Sequence, residues 1–376
     1  MIQREEKVDL EALGKISNFD LPSRPFFSII IPCYNSRETL PNLLESIVKQ
    51  DMKDEIEVII SDDHSTEDYM DVLDYYKDKI YIILTQTDYN FAPGNTREKG
   101  VESATGQWLC FADHDDEFIE KTLEDIKTAL IENNEQYLGI ANFYEVNPET
   151  RTVIQEMKRT RNWNHAKFYN YDNLWKPFNI HFKKDLLTHE DIYISSCVNC
   201  ALASLNGDNP LYIDIFCYSW MKRPTSISRE KYGNYSFLET FFTDYIDSTG
   251  YAFLENFKNN RVPLKYAIDA CIGVLVLSYF YLESFVFSDP VNYKKENFDY
   301  AKDYLIAVKE AFGISNEYIY KYVAANNAEF YEFQRKYALI ATGSCMPRDS
   351  FYQWLDYLHH DIQPKLTMSQ CMKKER

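Results

Sequence analysis

Two hydrophobic periods alternate along the first 145 residues. FFSIIIPCYN (26–35) is a β-branched run apolar on both faces, as a central parallel strand covered on each side must be. In 36–50, Leu40, Leu43, Leu44, Ile47 and Val48 recur at helical spacing. EIEVIISDD (55–63) predicts a second strand, and residues 66–77 a short helix. KIYIILTQ (79–86) predicts a third strand, followed by the loop TDYNFAPG (87–94) and a helix over 95–104. GQWLCFADHDD (106–116), a helix over 120–132 and QYLGIANF (136–143) continue the series. Strand–helix alternation with crossovers of this length predicts an α/β fold with a doubly wound, mostly parallel sheet. Ligands in such sheets bind beyond the carboxyl ends of the strands. That rule singles out 32–35, 62–65 and 113–116, which would converge on one crevice.

The alternation weakens over 145–232, a mixed stretch containing Trp163, Trp175 and Trp220. From about residue 235 the period is helical, with segments over 236–259, 264–287, 315–326 and 327–341. In NFDYAKDYLIAVKEAFGI, Tyr300, Tyr304, Leu305, Val308 and Phe312 share one stripe, and Gly313 suits the position just past a helix end. The expected organisation is a lead-in (1–25), an α/β domain (26–232) and an all-helical C-terminal domain (233–376). No internal repeat or low-complexity tract stands out.

Charge narrows the partners. The chain has 376 residues and a formal charge of −18, and the first 234 residues carry −15 of it. Such a surface repels phosphate backbones, which excludes nucleic-acid binding driven by counterion release. A phosphorylated ligand binding the front half would need a divalent cation beside it. The eight Cys lie mostly in apolar runs and read as reduced core thiols, including the Cys197/Cys200 pair, which lacks the second pair a structural zinc needs. The first 20 residues contain no apolar signal-like run, and the longest uncharged apolar stretch, about 271–282, is too short to span a bilayer. The reading is a cytoplasmic protein, with the basic end MKKER (372–376) and the inner membrane face as a candidate peripheral contact. His359 and His360 read as an exposed helical pair.

The candidate chemistry is carboxylate chemistry. Asp113, Asp115 and Asp116 follow a buried strand directly, and three acids in four residues repel one another unless a hard cation such as Mn2+ or Mg2+, or solvent, neutralises them. An acidic loop capping the next helix is the alternative. Asp62 and Asp63 in SDDHST either meet a base or ribose, or simply cap a turn. Glu190-Asp191 in LTHEDIYIS either carries catalysis or begins a helix whose dipole favours acids.

Taken in order, FSIIIPCYN, EVIISDDHST, APGNTREKGVESATGQWLCFADHDD, LTHEDIYIS (187–195) and CYSWMKRPTSIS (217–228) resemble the family 2 glycosyltransferases of GT-A fold over residues 26–228. The resemblance implies that Pro32 and Tyr34 contact a nucleotide base, that Asp62 reads uracil, and that Arg97 lies near base and phosphates. Asp113 and Asp115 match the Asp-x-Asp, the first toward ribose and metal, the second holding Mn2+ or Mg2+ on the diphosphate. Asp191 matches the general base, Glu190 the acid that positions the acceptor, and Arg223 a cation that neutralises diphosphate. Two positions depart from the pattern: Glu98 stands where relatives have Asn, and Met221 where many have Arg.

The implied activity is inverting, metal-dependent transfer of a sugar from a UDP-sugar donor to a hydroxyl of a glycan or glycoconjugate acceptor, such as capsule, teichoic acid or lipid-linked oligosaccharide. A protein or glycoprotein acceptor, and a non-catalytic nucleotide-sugar-binding scaffold, are the competing readings. The Tyr- and Phe-rich helical half reads as core and subunit interface, so a homo-oligomer through it is expected, with a smaller share in acceptor binding.

Overall fold

Strand β2 (Phe27–Cys33) and strand β3 (Ile56–Asp62) are buried at every position, as their unbroken apolar runs require. The computed structural model describes residues 13–89, 93–133, 137–159, 165–183, 190–205, 210–223, 243, 246–259, 261–275 and 295–325. The chain divides into two compact units, Met1–Ser226 and Ile227–Arg376.

In the first unit the remaining strands are β1 (Gly14–Lys15), β4 (Tyr81–Gln86), β5 (Trp108–Phe111), β6 (Glu117–Phe118), β7 (Leu138–Val146), β8 (Val153–Met157), β9 (Lys167–Asn170) and β10 (Leu211–Met221). Among the described residues they form one sheet in the order β1-β4-β3-β2-β5-β9-β7-β10-β6, with β8 on β7. The pairs β4-β3, β3-β2, β2-β5 and β7-β10 are parallel. Helices α1 (Leu40–Val48), α2 (Met70–Tyr76), α3 (Pro93–Val101), α4 (Leu123–Glu132) and α5 (Glu190–Ser204) complete the unit. The doubly wound, mostly parallel α/β sheet is therefore as expected.

Helix α1 buries Leu40, Leu43, Leu44 and Ile47, the stripe read from the sequence. Strand β5 ends at Phe111, because the following acids form a turn in which Asp116 N donates to Asp113 O at 3.0 Å. Strand β9 runs antiparallel between β5 and β7, and the sequence pattern did not reveal it. Two antiparallel steps restore direction, so β7 and β10 point the same way as β5 and their carboxyl ends open on the same side.

Helix α3 lies hard against the sheet. A Cβ on Gly100 would sit 2.5 Å from Ile30 Cγ2 and 3.5 Å from Ser61 Cβ. We therefore expect Gly100→Ala to lift α3 off β2 and to destabilise the unit by about 1–3 kcal/mol, as a lower urea midpoint at unchanged slope.

In the second unit the described residues are helical or turns. They include α6 (Ala252–Lys258), α7 (Lys295–Phe312) and α8 (Asn316–Ala325). Tyr304, Leu305 and Val308 are buried, and Gly313 takes φ +63°, the left-handed conformation that glycine adopts without strain. The helix expected over 327–341, His359-His360 and residues 372–376 lie outside the described residues. The six described Cys are free and buried. No helix among the described residues is long and apolar enough to cross a membrane.

Candidate active site

The carboxyl ends of β2 and β3 are stitched together by side chains. Asn35, in left-handed backbone at φ 48°, accepts from Thr66 N at 2.9 Å and Glu67 N at 3.1 Å. Its backbone N–H donates to Ser65 Oγ at 3.0 Å. His64 also has positive φ, 62°, so both strand-end turns are held in sparsely populated backbone. Pro32 is buried inside β2, and Tyr34 is exposed just past its end.

Asp62 does not occupy the position expected of an acid that reads a base. It is fully buried, and both oxygens are committed within the protein. Oδ1 accepts from Ser65 Oγ at 2.5 Å and Tyr69 Oη at 2.8 Å. Oδ2 accepts from Ser65 N and Gln86 Nε2, each at 2.9 Å. Four donors saturate the carboxylate, so Asp62 shapes the floor of the crevice and presents no oxygen to a ligand. Asp63 follows it, with Thr87 Oγ1 at 3.2 Å.

The acids after β5 are organised from β10. Tyr218 Oη accepts from Asp113 N at 3.0 Å and donates to Asp116 Oδ2 at 2.9 Å. Met221 N donates to Asp116 Oδ1 at 2.7 Å. Burial, reinforced by Asp113 and Asp115, pushes the Asp116 carboxyl well up, so this acid ties the loop to β10. Asp115 pairs with Arg223, Oδ2 to Nε at 3.1 Å, while burial and then Asp113 push its carboxyl upward. Met221, in the position noted as a departure, contributes its backbone instead of a charge.

Arg97 joins the two halves of the site. Its Nη2 donates to Asp113 Oδ1 at 2.6 Å and its Nη1 to Glu190 Oε1 at 2.9 Å, with only 8% of the side chain exposed. Burial opposes the charge on Arg97, but Asp113, Asp191 and Glu190 outweigh it and hold the guanidinium ionised. Burial likewise opposes ionisation of Asp113, yet Arg97 keeps that carboxyl below its usual range. Burial, and next Asp191, pushes the Glu190 carboxyl up to about 7. Arg97, expected near base and phosphates, forms a bridge between acids.

Helix α3 also fixes the start of α5. Gly94 approaches so closely that a Cβ there would lie 3.1 Å from Glu190 Cβ. Glu98, the other departure, accepts from Phe182 N at 2.8 Å and so anchors the chain ahead of α5. Glu190 and Asp191 do begin a helix, so the structural alternative and the catalytic one coexist at that terminus.

Sequence reasoning missed His165. Its ring stacks on Tyr218 at 5.7 Å and Trp220 at 5.4 Å, and burial lowers its pKa, which keeps the imidazole neutral. Asp113, Asp116 and His165 each bring one donor atom within 4.8 Å of the others. Carboxylates with a neutral imidazole suit Mn2+ better than an all-oxygen preference such as that of Mg2+. Nothing in the local sequence marks His165; only the β9 insertion brings it here.

Residues 28–188 match the family model described as glycosyl transferase family 2. The chain carries a family 2 glycosyltransferase domain. It is 30% identical over 202 residues to the poly(ribitol-phosphate) beta-N-acetylglucosaminyltransferase TarS of Staphylococcus aureus, covering 50% of this chain and 35% of that protein. It is 34% identical over 119 residues to the GalNAc(5)-diNAcBac-PP-undecaprenol beta-1,3-glucosyltransferase of Campylobacter jejuni, covering 31% of this chain and 37% of that protein. The chain thus spans little more than a third of these relatives. A crystal structure of S. aureus TarS 1-349 in complex with UDP-GlcNAc matches with a TM-score of 0.58 at 18% identity, covering 90% of this chain and 93% of that one. The shared fold is of GT-A type.

Proposed function

We propose that this protein is an inverting, metal-dependent glycosyltransferase that moves a sugar from a UDP-sugar to a hydroxyl of a surface-glycan acceptor. The observation that carries the reading is the Arg97 bridge, which brings the acid after β5 and the acid pair opening α5 to opposite ends of one guanidinium. An in-line displacement at an anomeric carbon needs such an arrangement: stabilisation of the leaving diphosphate on one side, and a base for the incoming hydroxyl on the other. Asp191 takes the proton, Glu190 orients the acceptor hydroxyl, and Arg97 positions Glu190 and Asp113. Tyr34, exposed just past the end of β2, packs against the base, and Arg223 offers its cation to the diphosphate.

Asp113 and Asp115 would hold Mn2+, with His165 beside Asp113, and the bound ion would supply the positive charge that stabilises the leaving nucleoside diphosphate. The surface-glycan acceptor is supported by the names of the relatives, all of which the chain covers only in part. Action at the cytoplasmic side of the membrane follows from the same reading.

The test incubates the full chain with a panel of UDP-sugars and glycan acceptors and follows UDP release and the anomeric configuration of the product. Transfer with inversion is expected; transfer with retention would remove the single-displacement mechanism.

The activity should also depend on pH through Glu190. Below about 7 the Glu190 carboxyl holds its proton; above it Glu190 is ionised and can accept from the acceptor hydroxyl. Turnover is expected to rise through that pH and level off, and Glu190→Gln should both lower turnover and flatten that limb. A limb unchanged in Glu190→Gln would assign it to another group.

A further inference from the structure

Lys167 stands where a buried strand would ordinarily carry an apolar residue. It opens β9, which is buried at every position, lies opposite Ile140 of β7, and is only 2% exposed. Taking an ammonium out of water is costly unless hydrogen bonds and an opposite charge compensate. The side chain reaches from the sheet to α5, where Nζ donates to Ser195 Oγ at 3.3 Å. Lys167, Tyr169, Ser195 and Asn199 line a cavity of about 10 Å3 between sheet and helix, room for at most one water.

Helical period extends that contact to the start of α5. Residues four apart share a stripe, so Asp191, Ser195 and Asn199 lie one above another. Ser195 and Asn199 face the cavity, and Asp191 is next toward the helix N-terminus. Residues so spaced have Cβ atoms about 5–6 Å apart, which puts the ammonium within about a turn of the Asp191 carboxylate. The neighbours on the sheet feel the same two charges. Burial raises the pKa of the Tyr169 hydroxyl, and Asp191 is the next cause. At His165 burial and then Asp113 lead, and Asp191 and Lys167 also act, with opposite signs. Elsewhere in the site Arg97 is committed to Asp113 and Glu190, and Arg223 to Asp115.

We infer that Lys167 is the positioning residue for Asp191: its buried ammonium, held on Ser195, draws the Asp191 carboxylate toward the sheet and away from that of Glu190. Two adjacent acids at a helix start repel each other, and a fixed cation on one side decides which way the second one turns. Buried beneath α5, Lys167 acts through Asp191 and not on the substrate. The inference rests on the glycosyltransferase reading, in which Asp191 takes the acceptor's proton, and adds to it the cation that sets the direction of that base.

The experiment follows UDP release by the full chain from the panel of UDP-sugars, with water and with glycan acceptors, for the parent, Lys167→Met and Lys167→Ala. Methionine replaces the lysine stem without its charge, so Lys167→Met should keep the melting temperature and the donor KM. Its kcat should fall about tenfold to a hundredfold, the scale of misplacing a reacting group by about 1 Å. In Lys167→Ala, added propylammonium should restore part of the turnover and 1-propanol, of the same shape without the charge, should not. A parental kcat in Lys167→Met, or a lowered kcat only together with a lost melting transition, would overturn the inference. So would propylammonium that raises turnover no more than 1-propanol does. A parent that releases no UDP from any of the sugars would strike the glycosyltransferase reading and this inference with it, whereas parent and variants releasing UDP alike would strike the inference alone.

Discussion

Asp191→Asn should yield a folded protein that binds donor nucleotide like the parent and turns over about a thousandfold more slowly, the scale of losing a general base. Asn is isosteric with Asp, so α5 and its packing survive the change, but an amide cannot take a proton from the acceptor hydroxyl. The residue sits at the first turn of α5, beside Glu190, and its charge is felt by Arg97, His165 and Tyr169. Removing that charge should therefore leave the melting temperature unchanged or slightly raised, because a crowd of acids is relieved. The measurements are single-turnover transfer and nucleotide affinity on the same preparation. Turnover retained at the parental level would remove Asp191 from the role of base.

Arg97→Met has a different signature, because it strikes folding and catalysis together. The buried guanidinium is the shared partner of Asp113 and Glu190, and its loss leaves two acids facing each other without compensation. Breaking a buried ion pair from one side typically costs several kcal/mol, and with Asp113 about one-third exposed we expect about 3 kcal/mol. Arg97→Lys keeps the charge but cannot span both carboxylates with a planar fork, so it should recover stability more fully than turnover. Chemical denaturation and transfer rates on both variants separate the two effects. If Arg97→Met were as stable as the parent, the bridge would not be holding the site together.

The parts of the fold that sequence made plain are those whose reason is local. The runs at 27–33 and 56–62 are buried on both faces, and no other element tolerates such composition. The acid pair at 190–191 was visible as a helix start, and it is one. What stayed hidden depends on contacts between distant segments. Strand β9 is four residues long, begins with a lysine and pairs with β5 and β7 across 27 residues or more. Its insertion delivers His165 to the acids, so the residue could not be singled out from its neighbours.

Asp62 and Asp116 show a second limit. A strand-end rule marks positions, not the direction in which a side chain turns. Asp62 points inward because Ser65, Tyr69 and Gln86 offer it donors, and Asp116 because Tyr218 and Met221 reach it from more than 100 residues away. The departures, in turn, acquired reasons only in three dimensions. Glu98 holds the backbone at Phe182, and Met221 serves the acid loop through its N–H.

The central claim is that the acids after β5 and the ends of β2 and β3 form a metal-dependent site for a uridine nucleotide. The most direct measurement is the melting temperature of the full chain with UDP, GDP, CDP or TDP, each with Mn2+ and with EDTA, repeated on Asp115→Ala. A ligand that binds only the native state must raise the melting point by mass action. The account predicts a shift with UDP and Mn2+ that exceeds the others, disappears in EDTA and is lost in Asp115→Ala. No shift with any nucleotide, or an equal shift in EDTA and in the variant, would contradict it.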